Sequence, residues 1–373
     1  MKRFLILLAA MAIALPACTN GNNETPTTPT TPTISIEEIT AKVTEFLNAG
    51  ETSFTVDFTP GTQAEMHAVV ISLISKAKTE GAIISSDLSA SSITYTLHAT
   101  FADALAAWEN NTTLTLLADT EYNDKEIDIL NKSVILDLNG KELKTTNSSL
   151  FNIGKEDYNF IDDEKVSTIT HGEMTIRDSG ENGTITTSNF FGEVIGTLTL
   201  ENGTLNNRIF VDYGTFNMTG GKIIMPNYSS AIDNYSGTVN ISGGILSGPN
   251  CIWTNSGSVT NISGNPTIKG TDFDSLNKNI AIYVAADATV TISGTPTLIG
   301  GSKGEIFVCN PITLNTQPTD GKWRININID TITVFATPGE GIDLDASKFE
   351  SALEGYEVQK LDDGSLAMIK ITE

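Results

Sequence analysis

From Leu114 onward one short motif keeps returning, and a chain that repeats itself at this scale has to stack its repeats. The clearest units run from Gly196 to Leu205, Gly214 to Ile223 and Gly237 to Leu246. Each reads Gly-Thr, a short alternating strand, a Gly-containing turn and a further apolar residue. Gly257 to Ile268 and Ala288 to Leu298 continue the series, and successive starts lie 18, 23, 20 and 31 residues apart. A constant motif with variable spacing describes coils that carry loops of different length at one corner. One unit has too little apolar surface to bury alone, whereas a stack of units buries a continuous core.

Within each unit the apolar residues alternate, as in a strand with one buried face. Leu198, Phe216, Val239, Val259 and Val290 are expected in one inward register, and Leu200, Met218, Ile241, Ile262 and Ile292 in a second, with one extra residue before Ile262. Thr199, Asn217 and Asn240 between them should point outward. A second short strand supplies Leu205, Ile223, Leu246, Ile268 and Leu298, and a third supplies Ile209, Ile232, Ile252, Ile282 and Ile306. Three short strands per coil make a parallel β-solenoid. Seven or eight coils at ~4.8 Å each give a rod of roughly 35–40 Å.

The residues before the repeats divide differently. Residues 34–100 read as a small α/β module. Ile36, Ile39, Val43 and Phe46 have helical spacing, residues 53–58 alternate, Met66, Val70 and Ile74 mark a second helix that closes near Gly81, and residues 92–97 alternate again. Residues 18–33 are a Thr/Pro tract with no apolar payload, expected to be an extended tether. Residues 1–17 begin with Lys2 and Arg3, followed by an apolar run from Phe4 to Leu15, which is the pattern of a secretory signal and too short to span a bilayer. The sequence Leu15-Pro16-Ala17-Cys18 that follows resembles the lipobox of bacterial lipoproteins. The resemblance implies cleavage before Cys18 and lipidation there. It places the chain on a membrane surface of the bacterial envelope, at the outer membrane or cell exterior, and several acyl chains together anchor stably.

A second resemblance covers residues 101–373. Phe101 to Trp108, Thr113 to Asp119 and Lys132-Ser-Val-Ile-Leu-Asp-Leu-Asn-Gly140 look like the opening of right-handed β-helix surface proteins of the pectin-lyase-like class, and the Gly-Thr-Val-Asn-Ile-Ser-Gly-Gly repeats match the same group. The implied fold is mainly β: a right-handed parallel β-helix over 101–312, closed over 313–373 by a β cap in which Gly355 to Leu366 resembles the terminal hairpin of such chains. The 101–108 helix is the expected cap at the other end. This fold carries lyases, hydrolases, adhesins and spacers, so it does not specify an activity.

Lyases and hydrolases of the class use clustered carboxylates with basic partners. Here His171-Gly172 stands without a paired Asp-Asp or an Arg-x-Lys, and Arg177-Asp178 and Arg208 with Asp212 are the only Arg/Asp neighbours in the repeats. Asp212 and Asp233 could share a cation across neighbouring coils, or simply be solvated outward positions. The run Asp162-Asp163-Glu164 reads as a solvated loop. No catalytic residue, metal ligand or cofactor is assigned. The formal charge of −23 argues against nucleic acid and anionic headgroups as partners. Cys251 and Cys309 read as small buried apolar residues, with pairing as the alternative. The residue after each third-strand Ile is Phe210, Asp233, Trp253, Tyr283 or Phe307. Outward and stacked, the aromatic four would form a platform for a glycan or a protein partner, and under covering loops they would be a satellite core. The leading expectation is a monomeric, adhesin-like surface lipoprotein. A polysaccharide lyase or glycoside hydrolase and a non-binding envelope component are the alternatives.

Overall fold

The computed structural model describes residues 35–77, 83–161, 164–226, 230–271, 280–301, 303–330 and 332–372. The repeats form a parallel β-helix. Among the described residues, ten strands stack in parallel as its first wall, from Thr112–Leu116 through Thr197–Leu200, Thr215–Met218 and Thr238–Ile241 to Val334–Pro338. The repeat motif alone marks only seven or eight coils. The second and third walls are stacks of short strands that two long strands, Thr184–Val194 and Thr204–Val211, run across and join into one sheet.

The apolar columns of the repeats line the interior. Leu205, Ile223, Leu246, Ile268 and Leu298 pair in register along the second wall, and Ile209, Ile232, Ile252, Ile282 and Ile306 along the third. On the first wall one expectation is corrected. Val239 pairs with Thr260, and Thr260 with Val290, so Thr260 rather than Val259 faces the core. The strand runs straight instead of bulging, because a bulge would break pairing with both neighbouring coils. The buried Thr260 hydroxyl is satisfied by the Thr254 hydroxyl at 2.9 Å and by Asn234 Nδ2 at 3.2 Å. Outside, the side-chain amides of Asn217, Asn240 and Asn261 form a ladder with 2.9 Å links.

Glycine fixes the corner before the first wall. Gly172, Gly196, Gly214 and Gly237 stack in a column, and each hands its carbonyl to the next coil, as in Thr197 N–H to Gly172 O at 2.8 Å and Thr215 N–H to Gly196 O at 2.8 Å. At the following corner Gly244 turns with φ +85°, a conformation that costs an L side chain energy.

At the amino end, helices α1 (Ile36–Ala49) and α2 (Gln63–Ala77) pack on a three-stranded antiparallel sheet. Ser35 caps α1 through a capping box with Glu38. The expected closure of α2 at Gly81 lies outside the described residues. The strand Ile83–Leu88 hydrogen-bonds antiparallel to Thr112–Leu116, so this sheet continues into the first wall. Ile83 joins the solenoid core and Ile84 the core of the small module. Helix α3 (Phe101–Ala106) buries Phe101, Ala104 and nearby Trp108 against the end of the solenoid core. At the other end the strand Trp323–Ile327 pairs in parallel with Phe349–Ser351. The antiparallel hairpin Tyr356–Lys360 and Leu366–Lys370 then closes on Val334–Pro338, covering a sheet edge that would otherwise invite another chain.

Candidate functional site

The outer row of the third wall reads Glu193, Phe210, Asp233, Trp253, Tyr283, Phe307 and Asn326 in direct register. Because one coil separates neighbours, the parallel ladder sets their rings nearly face to face. Trp253 and Tyr283 have centroids 3.9 Å apart at 21°, and Tyr283 and Phe307 5.2 Å apart at 7°. All three are half-buried. Phe210 is not part of this stack. Asp233 intervenes, and Phe210 instead meets Phe190 at 5.6 Å edge-on, with the Arg208 guanidinium 4.7 Å over its ring. Arg208 also pairs with Asp233 at 3.4 Å. Burial pushes the Asp233 carboxyl up, while Ser230 and Arg208 hold it down.

Self-stacking decides what the three rings can offer. The faces of Tyr283 are occupied by its neighbours, so its edge points outward. A sugar that stacks on aromatic faces finds none at Tyr283 and only the outer faces of Trp253 and Phe307, whereas ring edges fit against apolar side chains and acceptors. The edges of Trp253, Tyr283 and Phe307 form one wall of a groove of about 450 Å³. The lining continues through Ile327, Ile329 and Leu353, within the region expected to be cap. That volume is in the range of small-ligand and side-chain pockets, and the lining is mostly carbon. Asn250, Lys303, Asn326 and Asn328 supply its polar side chains, and Asn250 differs from the others. It is only 4 % exposed, and its Oδ1 is buried without a hydrogen-bond partner. An orphaned acceptor of this kind costs roughly 1–3 kcal/mol until a donor reaches it. Trp253 itself is pinned by its Nε1–H, which donates to Asn255 Oδ1 at 3.0 Å. Desolvation, then the nearby Cys309, pushes the Tyr283 phenol up to about 12, so it stays protonated.

The other sequence candidates do not converge. Arg177 pairs with Asp137 rather than with Asp178, whose buried carboxylate takes the N–H groups of Gly140 and Gly183. Asp212 accepts from the Ser236 hydroxyl, and Asp233 has Arg208, so each has its own partner. His171 is exposed, while Gly172 belongs to the glycine column. Asp162 and Asp163 lie outside the described residues, and Glu164 opens the second strand of an antiparallel hairpin, Lys155–Ile161 with Glu164–Thr170. Among the described residues, no three His, Cys, Asp or Glu side chains gather as a metal site. Cys251 and Cys309 are both free, Cys251 in the core with its thiol pushed up to about 12 by burial. Cys18 lies outside the described residues.

Comparison with protein-family models, with curated proteins and with solved structures returned no match to this chain. The groove therefore has to be read from its own chemistry. The sequence pointed to the outward aromatics. It held no sign of Asn250 as an acceptor, and none of the lining by Ile327, Ile329 and Leu353, which belong to coils without the repeat motif.

Proposed function

We propose that the chain is a display module: a β-helix, tethered to a membrane through lipid on Cys18, whose third-wall groove binds an extended segment of a partner protein. The observation that carries this reading is the combination of outward ring edges with a single orphaned amide oxygen. A peptide offers apolar side chains for the edges and a backbone N–H for Asn250 Oδ1. A glycan stacks on open aromatic faces, and both faces of the middle ring, Tyr283, are covered by its neighbours.

Selection of peptides from a random library on the full chain, with a glycan array in parallel, tests it. Enriched peptides should carry apolar or aromatic side chains and bind about tenfold more weakly to Trp253→Ala, the loss of the largest aromatic side chain in the groove. Glycan binding that disappears in Trp253→Ala, with no peptide enriched, would replace this reading with a lectin. The anchor is tested separately. Expressed in a bacterium supplied with labelled palmitate, the chain should take up label, and Cys18→Ala should take up none. Equal labelling of both would remove the anchor from the proposal.

A further inference from the structure

Helix α2 and the first coils enclose a second cleft, of about 560 Å³, away from the aromatic groove. Among its described lining residues Lys76, Lys141 and Arg177 are cations and Asp137 is the one acid. In a chain with 22 basic and 45 acidic residues, that is a local reversal of charge.

Asp137 is already committed. Its carboxylate is fully buried, and Oδ1 accepts the N–H groups of Asn139 at 3.1 Å and Ser179 at 2.9 Å. Its Oδ2 accepts Arg177 Nε at 3.0 Å. This holds the guanidinium by its inner nitrogen, and Nη1 and Nη2 make no hydrogen bond among the described residues. That leaves the two-pronged outer edge, which matches the paired oxygens of a carboxylate or phosphate.

His67 supplies an independent sign. Its Nδ1 lies 3.2 Å from Tyr95 Oη, and its Nε2 is buried without a partner. Whichever of the two donates in that bond, Nε2 remains a buried polar atom with no partner.

We infer that this cleft binds a small oxyanion, carboxylate or phosphate, gripped by the outer edge of Arg177, with Lys76 and Lys141 supplying charge and the unpartnered His67 Nε2 beside them.

Thermal unfolding of the full chain in sodium phosphate, sodium succinate and sodium chloride of equal ionic strength tests this. Stabilisation by phosphate or by succinate beyond chloride is expected, and whichever acts identifies the anion. General salting-out by these anions also stabilises proteins, so variants carry the decision. Half-saturation should need about fivefold more anion in Lys141→Gln and about tenfold more in Arg177→Lys. Lys141 makes no ion pair among the described residues, so its variant keeps the fold intact even if Arg177→Lys loosens Asp137. Equal melting temperatures in all three salts, or an undiminished anion effect in Lys141→Gln, would overturn the inference.

Discussion

Gly196→Ala is expected to destabilise the chain by about 3 kcal/mol, although it adds a single methyl group. A Cβ at Gly196 would lie 2.0 Å from the Gly172 carbonyl oxygen and 2.7 Å from the Gly172 nitrogen. Both obstacles are backbone, so no rotamer change relieves them. The coil cannot lift away either, because Gly172 O accepts from Thr197 N–H and Gly196 O from Thr215 N–H, each at 2.8 Å. Moving one coil stretches the ladder on both sides. Gly257 is the control. Its φ is +80°, but a Cβ there meets nothing within 4 Å. Gly257→Ala should therefore cost only the left-handed strain, about 1 kcal/mol. Urea unfolding of both variants checks the pair, and equal costs would mean that close stacking of the corner is not what requires glycine at 196.

Acid should weaken the fold through His67 by a similar amount. Desolvation by burial, and then the Arg177 charge, lower its pKa from 6.5 to about 4, with Asp137 opposing. The folded state thus keeps the ring neutral, while the unfolded chain protonates it first as the pH drops. The His67 contribution is complete above about pH 6.5, declines between 6.5 and 4, and is lost below. The shift corresponds to about 3 kcal/mol. Unfolding free energies at pH 7 and pH 4 should differ by about that much less in His67→Gln than in the parent chain. His98, hydrogen-bonded to Ser85 at 2.8 Å, is lowered in the same direction, so some slope survives in the variant. An identical slope in both chains would show that His67 does not hold its neutral form in the folded state.

The repeats made the solenoid legible because burial on one face forces period-two alternation, and stacking forces the same residue type at the same place in each coil. Leu205 through Leu298 and Ile209 through Ile306 are such columns. The register failed at Val259 and Thr260, where hydrophobicity favours the valine and an interior hydrogen bond rewards the threonine. The strand Ile83–Leu88 is not legible in the sequence because Ile83 to Ser86 are buried on both faces, so no alternation marks it. The coils holding Trp323–Ile327 and Phe349–Ser351 carry no Gly-Thr motif and read as cap. For the groove, alternation placed Trp253, Tyr283 and Phe307 outward in one row. That their faces close on one another follows from ladder spacing and ring torsions, and the unpartnered Asn250 acceptor, on the same strand as Trp253, from local packing that alternation does not describe.

A crystal structure of the full chain with a selected peptide would test the groove most directly. The peptide should lie along the edges of Trp253, Tyr283 and Phe307 and reach Ile327 and Ile329, with a backbone N–H about 3 Å from Asn250 Oδ1. A peptide bound elsewhere, with Asn250 still unpartnered and the three rings uncovered, would contradict the groove as the site of recognition.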